Sequence, residues 1–148
     1  MAKNQLIFRT KKAVYLPIEN IKGKNLLPDT SGNISLTITN FIPGTDGSVI
    51  KFIKFKADFT GQSFTYGLVL QLVLTENNTT TILYEEEANT LVIDFTRNLI
   101  TEISSTVDDN NKPYLALESG QVLTLRLISF DINIIASSST GYIQAENY

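Results

Sequence analysis

Carboxylates are the side chains of this chain that could do chemistry, because histidine and cysteine are both absent. Their absence removes the commonest general base near neutral pH, the usual zinc ligands, and the Ser–His and Cys–His nucleophile pairs. Glu85 and Glu87 would share one face of a strand about 7 Å apart, a spacing that glycosidase carboxylates can use. They run into a turn, however, where acidic side chains normally face water, and tryptophan for sugar stacking is absent. We therefore predict a protein that is not an enzyme and has no catalytic residues.

Oxygen ligands for calcium are the one metal-binding option that the composition leaves. The best cluster is Asp-Asp-Asn-Asn at 108–111, which lacks the alternating spacing and the distant glutamate of a helix–loop–helix calcium loop. A plain polar turn is the expected structure. The glycines stand singly at turn positions, and 43–47 lacks the spacing and the following helix of a phosphate-binding loop. We therefore predict neither a metal nor a cofactor.

Six tyrosines offer another kind of chemistry, the stacking of a sugar ring on an aromatic face. They are scattered, and most fall within strand patterns where they would serve the core or an interface. A carbohydrate-binding or adhesin module, in a phage tail or fibre or on a cell surface, is therefore an alternative function. Nucleic-acid binding is not expected, because an acidic body repels phosphate and the basic stripe of Lys51, Lys54 and Lys56 is short.

A periodicity of two, rather than 3.6, runs through most of the chain and predicts strands. In 33–42, Ile34, Leu36 and Ile38 alternate with polar residues, and 49–59 alternates in the same way around Ile53 and Phe55. The intervening segment 43–48 is dense in turn formers. We therefore predict that these two strands form a hairpin.

Later segments indicate where individual strands lie. Segment 64–75 is apolar on both faces, which predicts a central strand covered on each side. Segment 121–136 changes register, since leucines occupy odd positions up to Leu127 whereas Ile128, Phe130 and Ile132 occupy even ones. Such a change needs a β-bulge or a strand that leaves one sheet and joins another. Within 96–112, Leu99, Ile100 and Ile103 fit either a short helix or a strand, and 108–111 fits a loop.

Closely spaced strands with turns between them predict an all-β fold, a single antiparallel β-sandwich that is jelly-roll-like. Residues 1–24 carry six basic side chains against Glu19 alone, a local balance of +5 in a chain of net charge −3. We assign them to an extended basic N-terminal arm or to edge strands. Residues 25–136 would form the sandwich domain, and the Ser-rich 137–148 a linker and C-terminal tail. Neither a membrane helix nor a secretory signal is expected.

The stretch YLALESGQVLTLRL, residues 114–127, has a small polar turn ending in glycine before an alternating Val/Leu strand. It resembles the late hairpin of the small jelly-roll decoration, or cement, proteins of tailed bacteriophage capsids, over about a tenth of the chain. The resemblance implies a trimeric, non-enzymatic virion subunit on the capsid exterior. Its partners would be the major capsid protein or other virion proteins.

A basic arm on such a subunit would contact an acidic shell. The resemblance assigns this contact to Lys3, Arg9, Lys11 and Lys12, and aromatic residues near both ends would extend it. The full predicted interface is Lys3, Phe8, Arg9, Lys11, Lys12, Tyr15, Tyr142 and Tyr148.

Overall fold

The computed structural model describes residues 11–24, 27–28, 34–60, 68–88, 92–95, 98–104, 106–129 and 135–148. These residues form ten strands and one short helix, which confirms the predicted all-β class. The strands are β1 Lys12–Pro17, β2 Leu27–Pro28, β3 Ile34–Phe41, β4 Ser48–Thr60, β5 Leu68–Glu76, β6 Thr79–Ala88, β7 Val92–Phe95, β8 Leu115–Leu117, β9 Val122–Ser129 and β10 Ile135–Asn147, and the helix is α1 Ile100–Ile103.

The strands form two antiparallel sheets of five strands each. Sheet one has the order β1-β10-β4-β7, and β8 also pairs with β4. Sheet two has the order β2-β3-β9-β5-β6. Because β7 pairs with 55–58 of β4 and β8 with 48–50, these two short strands follow one another along the same edge of β4.

The pairing order defines a jelly roll. If the two-residue β2 is set aside and β7 and β8 are taken as one interrupted strand, eight strands pair in a nested series. The first pairs with the last (β1 with β10), then β3 with β9, β4 with β7 and β8, and β5 with β6. An antiparallel ribbon of this kind, rolled into two facing sheets, is the jelly-roll sandwich. The predicted jelly-roll-like sandwich is therefore confirmed.

Alternate side chains of both sheets fill the interior. On β4 the alternation places Ile53, Phe55 and Ala57 in the core, while Lys54 and Lys56 between them face outward. The fully buried aliphatic residues come from both sheets and include Ile50, Ile53, Leu70, Leu72, Leu123 and Leu127. Each such side chain contributes about 1.5–3 kcal/mol by its burial, so the two inner faces hold the sheets together.

Strand β5 lies between β9 and β6, as the two apolar faces of its sequence predict. Gln71 and Val73 point away from the interior, yet both are buried by the side chains of the neighbouring strands. The change of register after Leu127 also has a structural counterpart, because β9 belongs to sheet two and β10 to sheet one. The chain therefore changes sheet between 129 and 135. Residues 99–103, for which the pattern fitted a helix or a strand, include the helix α1.

The predicted hairpin of 33–42 with 49–59 is wrong. Strand β3 pairs with β9 and β4 pairs with β10, so the two strands lie in opposite sheets. The segment 43–48 is anchored to the end of β10 instead, since the Ser48 hydroxyl donates to Asn147 and the Tyr148 N–H donates to the Gly47 carbonyl. Turn formers predict a reversal of direction, but they do not specify the sheet in which the next strand will pair.

The predicted linker and tail at 137–148 is also wrong. These residues belong to β10, which pairs with β1 on one side and with β4 on the other. Two of the serines also bind the neighbouring strand β4: the Ser137 hydroxyl donates to the Asp58 carbonyl and the Ser138 hydroxyl donates to the Asp58 carboxylate. The sandwich therefore extends past residue 136. At the other end of the chain, β1 is an edge strand of sheet one, which is one of the two structures predicted for residues 1–24.

Asn98 closes the gap between β7 and β8 on the edge of β4. Its amide donates to the Lys51 carbonyl at 2.7 Å and accepts the Ile53 N–H at 3.1 Å, as a neighbouring strand would. Leu99 adds a further hydrogen bond of the kind that a paired strand makes, since its N–H donates to the Ile53 carbonyl at 2.9 Å. The Asn98 oxygen also accepts the Ile100 N–H at 3.1 Å and so begins α1.

Candidate interaction surface

The outer face of sheet one carries an exposed group of aromatic and basic side chains. The strand register places them side by side: Tyr15 of β1 lies opposite Gln144 of β10, which lies opposite Phe52 of β4. One step along, Tyr142 lies opposite Lys54. We call the surface formed by Tyr15, Phe52, Lys54, Lys56 and Tyr142 the tyrosine–lysine face.

Two tyrosines of this face stack on one another. The ring centroids of Tyr15 and Tyr142 are 5.3 Å apart with an angle of 26° between the planes. Tyr15 is nevertheless 65% exposed and Phe52 is 37% exposed. Large aromatic side chains that remain accessible and close together mark sites of interaction, because they can bury much apolar area at small entropic cost.

Lysines surround the aromatic group. The Lys54 ammonium lies 5.8 Å from the centroid of the Phe52 ring, within cation–π range. Lys56 follows on the same side of β4 and is exposed. The next outward residue, Asp58, already accepts a hydrogen bond from Ser138 at 3.1 Å. The two lysines give the face positive charge, with Asp58 on β4 and Asp94, opposite Lys56 on β7, at its border.

The structure brings four of the predicted interface residues to this side of the sandwich. Tyr15 and Tyr142 belong to the tyrosine–lysine face itself. At its end, the Lys11 ammonium lies 5.4 Å from the centroid of the Tyr148 ring and 3.8 Å from the Glu146 carboxylate.

Lys12 is exposed, but it alternates with Lys11 and shares the side of β1 that carries Val14 and Leu16. The remaining predicted residues, Lys3, Phe8 and Arg9, lie outside the described residues. None of these placements tests the predicted interface role, which stays a prediction.

Sequence reasoning missed the contribution of β4. Lys54 and Lys56 were considered only as part of a basic stripe for nucleic acid, although the alternation in 49–59 already places both lysines on the outward side. The sequence did not reveal which strand pairs with β4. Only the pairing of β4 with β10 sets Phe52 and Lys54 beside Gln144 and Tyr142.

The outer face of sheet two has a different character. A polar ladder crosses three strands there: the Arg126 Nε donates to the Gln71 side-chain oxygen at 2.8 Å, and the Gln71 amide donates to the Glu85 carboxylate. Gln71 is only 5% exposed, so this ladder satisfies a buried amide. Glu85, considered above as one of a possible catalytic pair, is thus an acceptor in this ladder.

The acidic cluster at 108–111 forms the expected polar turn. The Asp108 Oδ1 accepts the N–H groups of Asn110 at 2.9 Å and Lys112 at 3.0 Å. The hydrogen bond from the Lys112 N–H is the largest of the effects that hold the pKa of Asp108 below its ordinary value. Asn111 closes the turn with φ of 61°.

Among the described residues, the structure has no group of three or more side chains suited to hold a metal ion. Within those residues it also contains no helix that is long and apolar enough to cross a membrane.

Comparison with known proteins gives similarity at the level of structure. No protein-family model matches the chain, and no curated protein matches it. The alignment with the crystal structure of the infectious bursal disease virus VP2 subviral particle covers 93% of this chain and 33% of the chain in that structure, at 9% identity and a TM-score of 0.42. The T13 particle of the same virus aligns with 95% of this chain and 32% of its own, at 10% identity and a TM-score of 0.42. This chain thus spans about a third of the length of these proteins.

Proposed function

We propose that this protein is a non-enzymatic structural subunit of a virus particle, a decoration protein that binds the exterior of the shell through the tyrosine–lysine face. The partner in this proposal is the major capsid protein. The observation that carries it is the stack of the exposed Tyr15 on the half-buried Tyr142, beside Phe52 and the lysines of β4. The resemblance of residues 114–127 to cement proteins suggests the type of assembly, in which the subunits form a trimer on the shell.

The aromatic part of the face suits an interface centre. Tyrosine is among the residues that most often carry the binding energy of protein interfaces, since its ring buries a large area and loses few rotamers. The stack already holds Tyr15 and Tyr142 against each other, so part of the ordering cost of binding is met before the partner arrives. A partner surface that covers these rings would gain more than it would from the surrounding polar positions.

The charges of the face select the partner. Lys11 and Lys51 share the single carboxylate of Glu146, at 3.8 and 3.3 Å, which offsets one of their two positive charges. Neither Lys54 nor Lys56 forms an ion pair among the described residues, although Lys56 has Asp94 opposite it on β7 and Asp58 two residues further along β4. An acidic partner surface is therefore complementary, and the association should weaken as salt is added.

Co-sedimentation with empty shells tests the proposal. The protein would be mixed with shells assembled from the major capsid protein that is encoded in the same genome, and bound protein would be measured at increasing salt. The expected result is saturable binding that weakens with salt. The double variant Lys54→Glu, Lys56→Glu should lose binding by at least about tenfold, because it turns two attractions into repulsions.

A matched variant controls for the change in net charge. Lys22→Glu, Lys24→Glu makes the same change in the exposed turn after β1, which is not part of the tyrosine–lysine face, and should bind like the unchanged protein. An equal loss of shell binding in both double variants would mean that only the net charge of the protein matters, and would contradict binding through a specific face. Absence of binding by the unchanged protein, or a genome without a shell-forming protein, would overturn the proposal.

A further inference from the structure

We propose that a cleft at the end of sheet one, next to the tyrosine–lysine face, binds a neutral, hydroxyl-rich ligand of the size of one sugar ring. The cleft measures about 250 Å³ and lies between the ends of β1 and β10, the start of β4 and the loop 106–114. The lining includes Lys11, Lys51, Asp109, Tyr114, Glu146 and Tyr148. This inference does not rest on the proposed function.

The loop that forms one wall is fixed by its own hydrogen bonds. Asp108 holds the turn as described above, and its N–H donates to the Lys112 carbonyl at 2.9 Å. Behind the turn, the Tyr114 N–H donates to the Thr106 carbonyl at 3.2 Å, and the Ser104 hydroxyl donates to the Tyr114 carbonyl. The backbone of Tyr114 is thus held from both sides, and a preformed wall lowers the cost of binding.

Charges of both signs line the cleft and suit a neutral ligand better than an ionic one. Glu146 lies between two ammonium groups, 3.8 Å from that of Lys11 and 3.3 Å from that of Lys51. Asp108 and Asp109 add a second and a third carboxylate to the lining. With three carboxylates and two ammonium groups in the lining, an anion or a cation would meet repulsion as well as attraction. A hydroxyl group, in contrast, can donate to the carboxylates and accept from the ammonium groups.

Aromatic and aliphatic side chains complete the chemistry. Tyr114 and Tyr148 both line the cleft, and Val49 and the exposed Val107 add apolar surface. The Lys11 ammonium occupies one approach to the Tyr148 ring, at 5.4 Å from its centroid. A sugar ring has apolar faces and a polar rim, so it matches a site with both kinds of group. The volume lies just below the roughly 300–1,000 Å³ typical of pockets for drug-sized ligands, which favours a single ring.

A titration followed by NMR tests the inference. The probes are the methyl glycosides of glucose, galactose, mannose and N-acetylglucosamine, with inorganic phosphate and calcium as ionic comparisons. At least one glycoside should bind saturably and shift the signals of the Tyr114 and Lys51 amides. Tyr148→Ala should weaken this binding by about tenfold, because a stacking surface is lost.

Two variants separate the site from the fold and from the shell-binding face. Asp109→Asn changes an exposed carboxylate, keeps the fold and should weaken glycoside binding severalfold. Tyr142→Ala removes a ring of the tyrosine–lysine face that does not line the cleft, so it should bind glycoside unchanged while losing shell binding. The inference is overturned if no glycoside binds, if phosphate or calcium binds this cleft more tightly, or if neither Tyr148→Ala nor Asp109→Asn weakens binding.

Discussion

Replacing Asn98 with alanine should open the edge of β4 and destabilise the whole sandwich. The asparagine side chain makes three hydrogen bonds to main-chain groups, with the Lys51 carbonyl and with the N–H groups of Ile53 and Ile100. Each such bond contributes about 0.5–1.5 kcal/mol net, and a partly buried group left without a partner costs more. We therefore expect Asn98→Ala to lower the free energy of unfolding by about 2–4 kcal/mol.

Urea denaturation followed by circular dichroism measures this loss. Asn98→Asp keeps an oxygen for the two N–H groups but cannot donate to the Lys51 carbonyl, so it should fall between the asparagine and the alanine proteins. Asn110→Ala, in the exposed turn, is the matched control and should stay within about 0.5 kcal/mol. Hydrogen exchange of the Ile53 amide should accelerate in Asn98→Ala. A loss below about 0.5 kcal/mol in Asn98→Ala, or an unchanged Ile53 amide, would refute the view that this side chain substitutes for a strand.

Three further predictions concern single positions. In Gly141→Ala the new Cβ would lie 2.4 Å from the Lys54 carbonyl oxygen, which is backbone, so we expect about 3 kcal/mol of destabilisation in a thermal melt; an unchanged melting temperature would contradict the close approach. Tyr15→Ala should cost only about 0.5–1.5 kcal/mol, because the stack with Tyr142 is exposed; a larger loss in urea would make the ring structural. Because the pKa of Asp108 is lowered in the folded state, its ionised carboxylate should stabilise the fold above the ordinary pKa, and this stabilisation should be lost as the pH falls through the lowered value. An NMR titration of Asp108 with a midpoint at or above the ordinary pKa would contradict the hydrogen bonds of the turn.

Alternation along the chain was enough to predict the class and several strands. The pattern around Ile53 and Phe55 and the two apolar faces of β5 correspond directly to buried positions. These signals are local, since a side chain two residues away lies on the same face in any strand. The prediction of a sandwich followed from the same local information.

Pairing between distant strands could not be predicted in the same way. The turn formers at 43–48 lead into the opposite sheet, because the partner of β4 is β10, almost 90 residues later in sequence. The serines before Gly141 were interpreted as a linker by composition, although backbone hydrogen bonds to β4 make them part of a strand. Gly141 itself is needed for the close approach of β4, which no property of the sequence segment reveals.

The candidate site was predictable only in part, for the same reason. Tyr15 and Tyr142 were selected as aromatic residues near the ends of the chain, and the pairing of β1 with β10 brings their rings together. Phe52 and Lys54 join them because β4 lies on the other side of β10. The face is a product of topology, which places side chains that are far apart in sequence on adjacent strands.

Hydroxyl-radical footprinting of the protein, free and bound to shells, tests the tyrosine–lysine face most directly, because aromatic rings report their own accessibility. Tyr15, Phe52 and Tyr142 should become protected on the shell. Ile82, which is 50% exposed on β6 in the other sheet, should react equally in both states. Protection of Ile82 with continued reaction of the three aromatic residues would show that the shell is bound by a different surface and would contradict the account.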